Sequence, residues 1–150
     1  MSGPGATPLF VDTAAFFARF VSDDQNHGAA TTVFDGIRSG DYAYRPLYTS
    51  RYVLSELATL LSRRVGHDVA ARALRTIRAS DSFTILALDR SLFERTCDQF
   101  AAYDDQQISF VDHASAVLAD RHGIDHVFTF DSTDFSTLGF TVVPADTGDA

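Results

Sequence analysis

Asp12 closes the apolar run LFV and is followed by Thr13, and Asp131 closes VFTF near the other end of the chain. Between them Glu56 interrupts YVLSELATLL and Asp112 interrupts ISFVDHASAVLA. Each is a carboxylate set in or against a stretch that a hydrophobic core would claim. Burying one unpaired carboxylate costs several kcal/mol. Four such positions spread along the chain imply a shared compensator. For clustered carboxylates the commonest one is a divalent cation, which takes oxygen ligands. The chemistry expected of such a site is metal-dependent action on phosphates.

These acids need elements to bring them together. PLFVD (8–12) and FTILAL (83–88) have the short apolar form of buried strands, and HVFTF (126–130) and FTVV (140–143) are shorter candidates. YAYRPLYT (42–49) is rich enough in aromatic and β-favouring residues for a strand, although Pro46 argues against a fully paired interior. Helices are predicted over 13–20, 27–38, 50–64, 68–79, 90–102 and 108–121, with Ser50 and Asp89 as caps. Strands alternating with helices predict an α/β fold around a mainly parallel sheet. Ligands of such sheets sit beyond the carboxyl ends of the strands, where Asp12 and Asp131 fall. On the 50–64 helix the stripe Val53, Leu54, Leu57, Leu60 and Leu61 leaves Glu56 at its rim. On the 108–121 helix the stripe Ile108, Val111, Ala114, Ser115 and Leu118 does the same for Asp112.

The 150 residues suit one domain, expected over 9–143 between flexible tails at 1–8 and 144–150. No secretory signal or membrane-length apolar run is seen, so a cytoplasmic protein is expected. The lone Cys97 excludes an internal disulfide and a cysteine zinc site, and reads as a small buried hydrophobe. The charged set is 18 Asp, 2 Glu, 12 Arg and no Lys, for a net charge of −8. That balance resembles proteins of salt-loving archaea; a GC-rich genome replacing Lys codons by Arg gives the same signature. Net negative charge argues against nucleic acid as partner. In brine this inference weakens, because screening falls to about 3 Å at 1 M salt.

The order FVDT, LSEL on a helix, D-x-x-IS-x-x-D and TFD-x-x-F closing with GF resembles a PIN domain, in particular the VapC-type toxin ribonucleases. The resemblance spans about residues 9–143. It implies a PIN fold and Mg²⁺- or Mn²⁺-dependent cleavage of single-stranded RNA, commonly tRNA or rRNA loops. It also implies an antitoxin partner and a homodimer. Position by position it makes Asp12, Glu56, Asp112 and Asp131 the acidic set, with Asp134 a substitute for the fourth. Thr13 and Thr129 match small hydroxyl positions near the metal. The all-Arg basic set departs from the common pattern and leaves open what holds the RNA backbone.

On this reading Asp12 and Asp112 are direct ligands, and Glu56 holds a water or acts as general base. Without a cation, carboxylates about 4 Å apart repel by roughly 4 kcal/mol at an effective dielectric of 20, so some keep protons through raised pKa values. A water activated at the site attacks phosphorus in line, leaving 5′-phosphate and 3′-hydroxyl ends. Plainer roles compete. Asp12 caps the next helix, Glu56 pairs with Tyr52 or Arg63, Asp112 lies at the surface, and Asp131 and Asp134 cap a turn. Asp105 is a helix cap before it is a ligand. His122 and His126 are surface or loop residues, His113 points away from Asp112, and Phe16, Phe17 and Phe20 are core with a docking surface as the alternative. A strand-ending Asp-Thr also fits dehalogenase-type phosphatases and response-regulator receivers. The former need Asp-x-Asp, where this chain has Ala14, and both use a Lys that it lacks. A housekeeping RNA-processing nuclease and a non-catalytic binding domain are the remaining rivals.

Overall fold

Leu9, Phe10 and Val11 are wholly shielded from solvent because the strand they build lies in the middle of the sheet. The computed structural model describes residues 5–104 and 106–148. Within them the chain forms β1 (Thr7–Val11), α1 (Thr13–Phe20), α2 (His27–Ser39), β2 (Tyr44–Ser50), α3 (Arg51–Arg64), α4 (His67–Ala79), β3 (Phe83–Leu86), α5 (Arg90–Ala102), α6 (Phe110–Arg121), β4 (His126–Phe128), α7 (Ser132–Thr137) and β5 (Thr141–Val143). The strands make one sheet in the order β3-β2-β1-β4-β5, with every pairing parallel. The α/β expectation holds, and the sheet is wholly rather than mainly parallel among the described residues.

Pro46 lies in an interior strand whose pairing is interrupted beside it, as the missing amide proton requires. The β1–β2 register steps from Thr7↔Tyr44 to Leu9↔Leu47, so β2 carries one extra residue there. A bulge of this kind is where a residue without an amide proton can sit inside a sheet. Higher up, the Thr49 hydroxyl donates to the Val11 carbonyl at 2.9 Å and ties β2 to β1. Phe16 of α1, Phe34 of α2 and Phe128 of β4 stack in series, with centroids 5.9 and 5.0 Å apart. This aromatic chain holds the α1–α2 pair against the sheet.

Local chemistry moved several boundaries. The helix expected from 108 starts at Phe110, because Ser109 accepts the Asp112 amide at 3.1 Å and caps it. Nor is α6 amphipathic. Every residue from Asp112 to Ala119 is buried, since α3, α5 and α7 all pack on it. On α3 the stripe holds except at Leu60, which is 39% exposed. β3 is a half-exposed edge strand rather than a buried run to 88. Cys97 is half-buried on α5, not core, and His126 is a β4 residue whose Nδ1 meets Asp125 Oδ1 at 2.7 Å. Thr7 and Pro8, placed in an N-terminal tail by sequence, belong to β1. Beyond β5, the Val142 amide donates to Asp146 Oδ2 at 2.7 Å. The remainder of the expected tails, 1–4 and 149–150, lies outside the described residues. Among the described residues no helix is long and apolar enough to cross a membrane.

Candidate active site

β1 and β4 are neighbours and end at the same sheet edge, so Asp12 follows one strand and Asp131 comes three residues after the other. Beyond that edge opens a cleft of about 650 Å³. Among the described residues six carboxylates line it, from Asp12, Asp24, Glu56, Asp112, Asp131 and Asp134, and no basic side chain does. The four acids expected to converge therefore do share one cavity.

Asp12 occupies the cap position of α1, yet its carboxylate makes no capping bond. Its Oδ2 accepts from the Thr129 hydroxyl at 2.9 Å. The same Thr129 oxygen accepts the Asp131 amide at 3.0 Å, so one buried threonine links the strand ends that carry both acids. Asp12 Oδ1 has no hydrogen-bond partner, although the residue is only 2% exposed. The neighbouring Thr13 hydroxyl is likewise buried and unpartnered. Burial pushes Asp12 up to about 6; the Thr129 bond opposes this, and Glu56 adds repulsion.

Asp112 is placed by the Ser109 cap in the first turn of α6 and is 6% exposed. Its pKa is pushed up to about 8, first by burial and then by repulsion from Asp12, Asp131, Glu56 and Asp134. Asp131 and Asp134 lie one turn apart at the start of α7. Oxygens of Asp112, Asp131 and Asp134 all fall within 4.8 Å of one another. Asp131 is also raised, by burial first and then by Asp134. Among the described residues these three acids are the group placed closely enough to share one ion, and Asp12 lines the same cleft beside them. Asp131 occupies the cap position of α7, as the plainer reading has it, but makes no side-chain cap bond. Glu56 forms no ion pair among the described residues.

Asp24 was missed as a site residue. SDDQN reads as a hydrated loop, and the structure turns Asp24 into the cleft, where its Oδ2 accepts the Asn26 amide at 2.9 Å. Asp105 lies outside the described residues. His113 faces away from the cleft, buried between Phe100 and Tyr103, with Nδ1 2.8 Å from Gln99 Nε2. Burial lowers its pKa.

The donor set fits a hard divalent cation. Among the described residues it is all oxygen, without His or Cys in the lining, which argues against a zinc or copper site. The orphaned Asp12 Oδ1 and the raised acids are the marks of a cluster built for positive charge.

A parallel α/β sheet with a carboxylate cleft at its C-terminal edge defines a cation-dependent phosphate enzyme. The chain belongs to the PIN domain family, which it matches over residues 9–140. PIN nucleases are generally divalent-metal-dependent, and membership sets aside the phosphatase and receiver readings. The chain is 34% identical over 137 residues to the "23S rRNA-specific endonuclease VapC20" of Mycobacterium tuberculosis, covering 90% of this chain and 97% of the relative. It is 32% identical over 142 residues to "Ribonuclease VapC26" of the same species, covering 91% and 100%. The crystal structure of VapC20, described as a "Sarcin-Ricin loop cleaving toxin", superposes with a TM-score of 0.79 at 33% identity over 89% of this chain and 96% of that one. FitAcB from Neisseria gonorrhoeae shares the fold at 16% identity, covering 89% of this chain and 95% of that one, with a TM-score of 0.63. These relatives give the salt-loving expectation no support.

Proposed function

We propose that this protein is a metal-dependent endoribonuclease, the toxin of a toxin–antitoxin pair, and that it cuts a single-stranded loop of ribosomal RNA. The observation that carries the reading is the cleft at the sheet edge, lined among the described residues by six carboxylates and no basic side chain. The names of the relatives supply the RNA class and the toxin role. Mg²⁺ is the resident ion, with Mn²⁺ able to replace it. The antitoxin is a separate protein, and the toxin works as a homodimer.

Asp112, Asp131, Asp134 and Asp12 are the residues that would hold the ion. When bound, it supplies Lewis acidity to the scissile phosphate and makes water more acidic. The chain does the rest. Thr129 fixes the Asp12 carboxylate, and the Ser109 cap fixes Asp112 on a rigid buried helix. Glu56 takes a proton from the attacking water on its carboxylate oxygen. Phe17 and Phe130 wall the cleft and limit water access.

The test is sequencing of RNA ends after induced expression, beside an Asp12→Asn control. New 5′-phosphate ends within one rRNA loop, absent from the control, are expected. Equal cleavage by the Asn form would refute the assignment. Calorimetric titration with Mn²⁺ adds a readout free of activity: one specific site, lost in Asp112→Asn.

A further inference from the structure

Charge is segregated along this acidic chain. Residues 51–78 hold six arginines against only Glu56 and Asp68, a net of +4, while the rest carries six arginines against 18 acids, a net of −12. That segment is the hairpin α3–α4. Arg51, Arg72, Arg75 and Arg78 are exposed, and none joins an ion pair among the described residues. One side of α3 puts Glu56 and Leu60 into the acidic cleft. Its other side forms a trough of about 480 Å³ with α4 and the edge strand β3, where Arg51 and Arg78 stand around Leu54, Ala58, Leu74 and Ile85. Cleft and trough are thus separated by the width of one helix, about 10 Å.

We propose that this trough is an RNA-docking surface on which Arg51, Arg75 and Arg78 hold backbone phosphates of the substrate, a few nucleotides from the scissile bond. The proposal rests on the ribonuclease reading. A catalytic cleft whose charged groups among the described residues are all acids attracts no polyanion before its cation binds, so backbone affinity must come from elsewhere. Unpaired arginines beside the cleft, on the one basic segment of the chain, supply it. Arginine's planar fork suits phosphate oxygens, and the apolar trough floor lets a base lie against Leu54 and Leu74.

The experiment compares wild type with Arg51→Gln/Arg75→Gln/Arg78→Gln, none of which touches the cleft. Binding of a labelled sarcin–ricin hairpin is followed by anisotropy in EDTA, from 50 to 500 mM salt. Cleavage of the hairpin and of a tetranucleotide from its loop is followed with Mg²⁺. The log–log salt slope should fall by about 2, as expected for three lost single-strand phosphate contacts at roughly 0.7 each. KM for the hairpin should rise roughly 10-fold or more with kcat kept, and tetranucleotide cleavage should not change. An unchanged slope and KM would overturn the proposal, as would equal loss on the tetranucleotide, which would mean a damaged site. Binding with the altered slope but no cleavage by wild type would support the surface and refute only the nuclease reading. An acidic protein as the true occupant would appear as the first of the overturning results.

Discussion

Replacing Asp112 by Asn should stabilise the metal-free protein while destroying its function. Unfolded, this carboxyl has the ordinary value of 3.8; folded, it is pushed up to about 8. The folded state therefore binds the proton more tightly across that window. Stability is highest below about pH 4 and falls as pH rises towards 8, the reverse of an aspartate held by an arginine. Each tenfold in proton affinity is worth about 1.4 kcal/mol. At pH 5 the loss attributable to Asp112 is thus about 2 kcal/mol, and at pH 7 about 4 kcal/mol. Asn has nearly the shape of the protonated acid and never titrates, so Asp112→Asn should escape this loss. For a chain of this length about 4 kcal/mol is roughly 10 °C in Tm. Thermal unfolding in EDTA at pH 4, 5.5 and 7 is the assay. The variant should match wild type at pH 4 and pull ahead steadily to pH 7. Saturating Mg²⁺ should raise the wild-type Tm and leave that of the variant almost unmoved. Parallel pH curves for the two proteins in EDTA, or a variant less stable at pH 7, would refute the electrostatic account of the cleft.

Asp12→Asn should keep the fold, as judged by circular dichroism, and abolish RNA cleavage; its metal-free stabilisation should be smaller than that of Asp112→Asn, because Asp12 rises only to about 6. Thr129→Val leaves Asp12 Oδ2 without its donor in a buried site, at a cost of about 1–3 kcal/mol; urea unfolding should show that loss, and Thr129→Ser should restore most of both stability and cleavage. Mn²⁺ binding must displace the proton held by Asp112, so affinity by calorimetry should rise with pH up to about 8 and then level, with proton release shrinking over the same range. Ser109→Ala should cost about 1 kcal/mol through the lost cap and weaken metal binding as well, since the same turn aims Asp112.

The acids that follow strands were the easiest to read. A carboxylate ending an apolar run has few places to go but the sheet edge, and β1 beside β4 delivers Asp12 and Asp131 there. Glu56 and Asp112 were legible from helical phase, though for Asp112 the reason proved different. Its helix is packed on every side, so the acid is buried by neighbours that no periodicity within 108–121 records. That Asp134 joins Asp112 and Asp131 rather than replacing Asp131 was not legible. It depends on α7, whose six residues are too few to show a helical period. Asp24 was hidden for a related reason: SDDQN is a polar loop by any local rule, and only the docking of α1 and α2 on the sheet decides that one of its acids faces the cleft. Pro46 interrupts the pairing of β2 as its missing amide proton requires, and the strand absorbs it in a bulge, a device of pairing that the sequence of the strand alone does not locate.

Net charge is a coarse guide to partners for a more general reason. A total of −8 speaks against a polyanionic partner only if the charges are mixed, since an RNA strand meets local potential and not the sum. At physiological salt charges further apart than about 8 Å are largely screened from one another. The acidic cleft and the arginine trough stand about one helix width apart, so each presents its own sign to what binds it. A cation and a phosphate chain can then be held side by side by a protein whose average charge would repel the second. The segregation itself is present in the linear sequence, as six arginines within residues 51–78, and a windowed charge count shows it where a total does not.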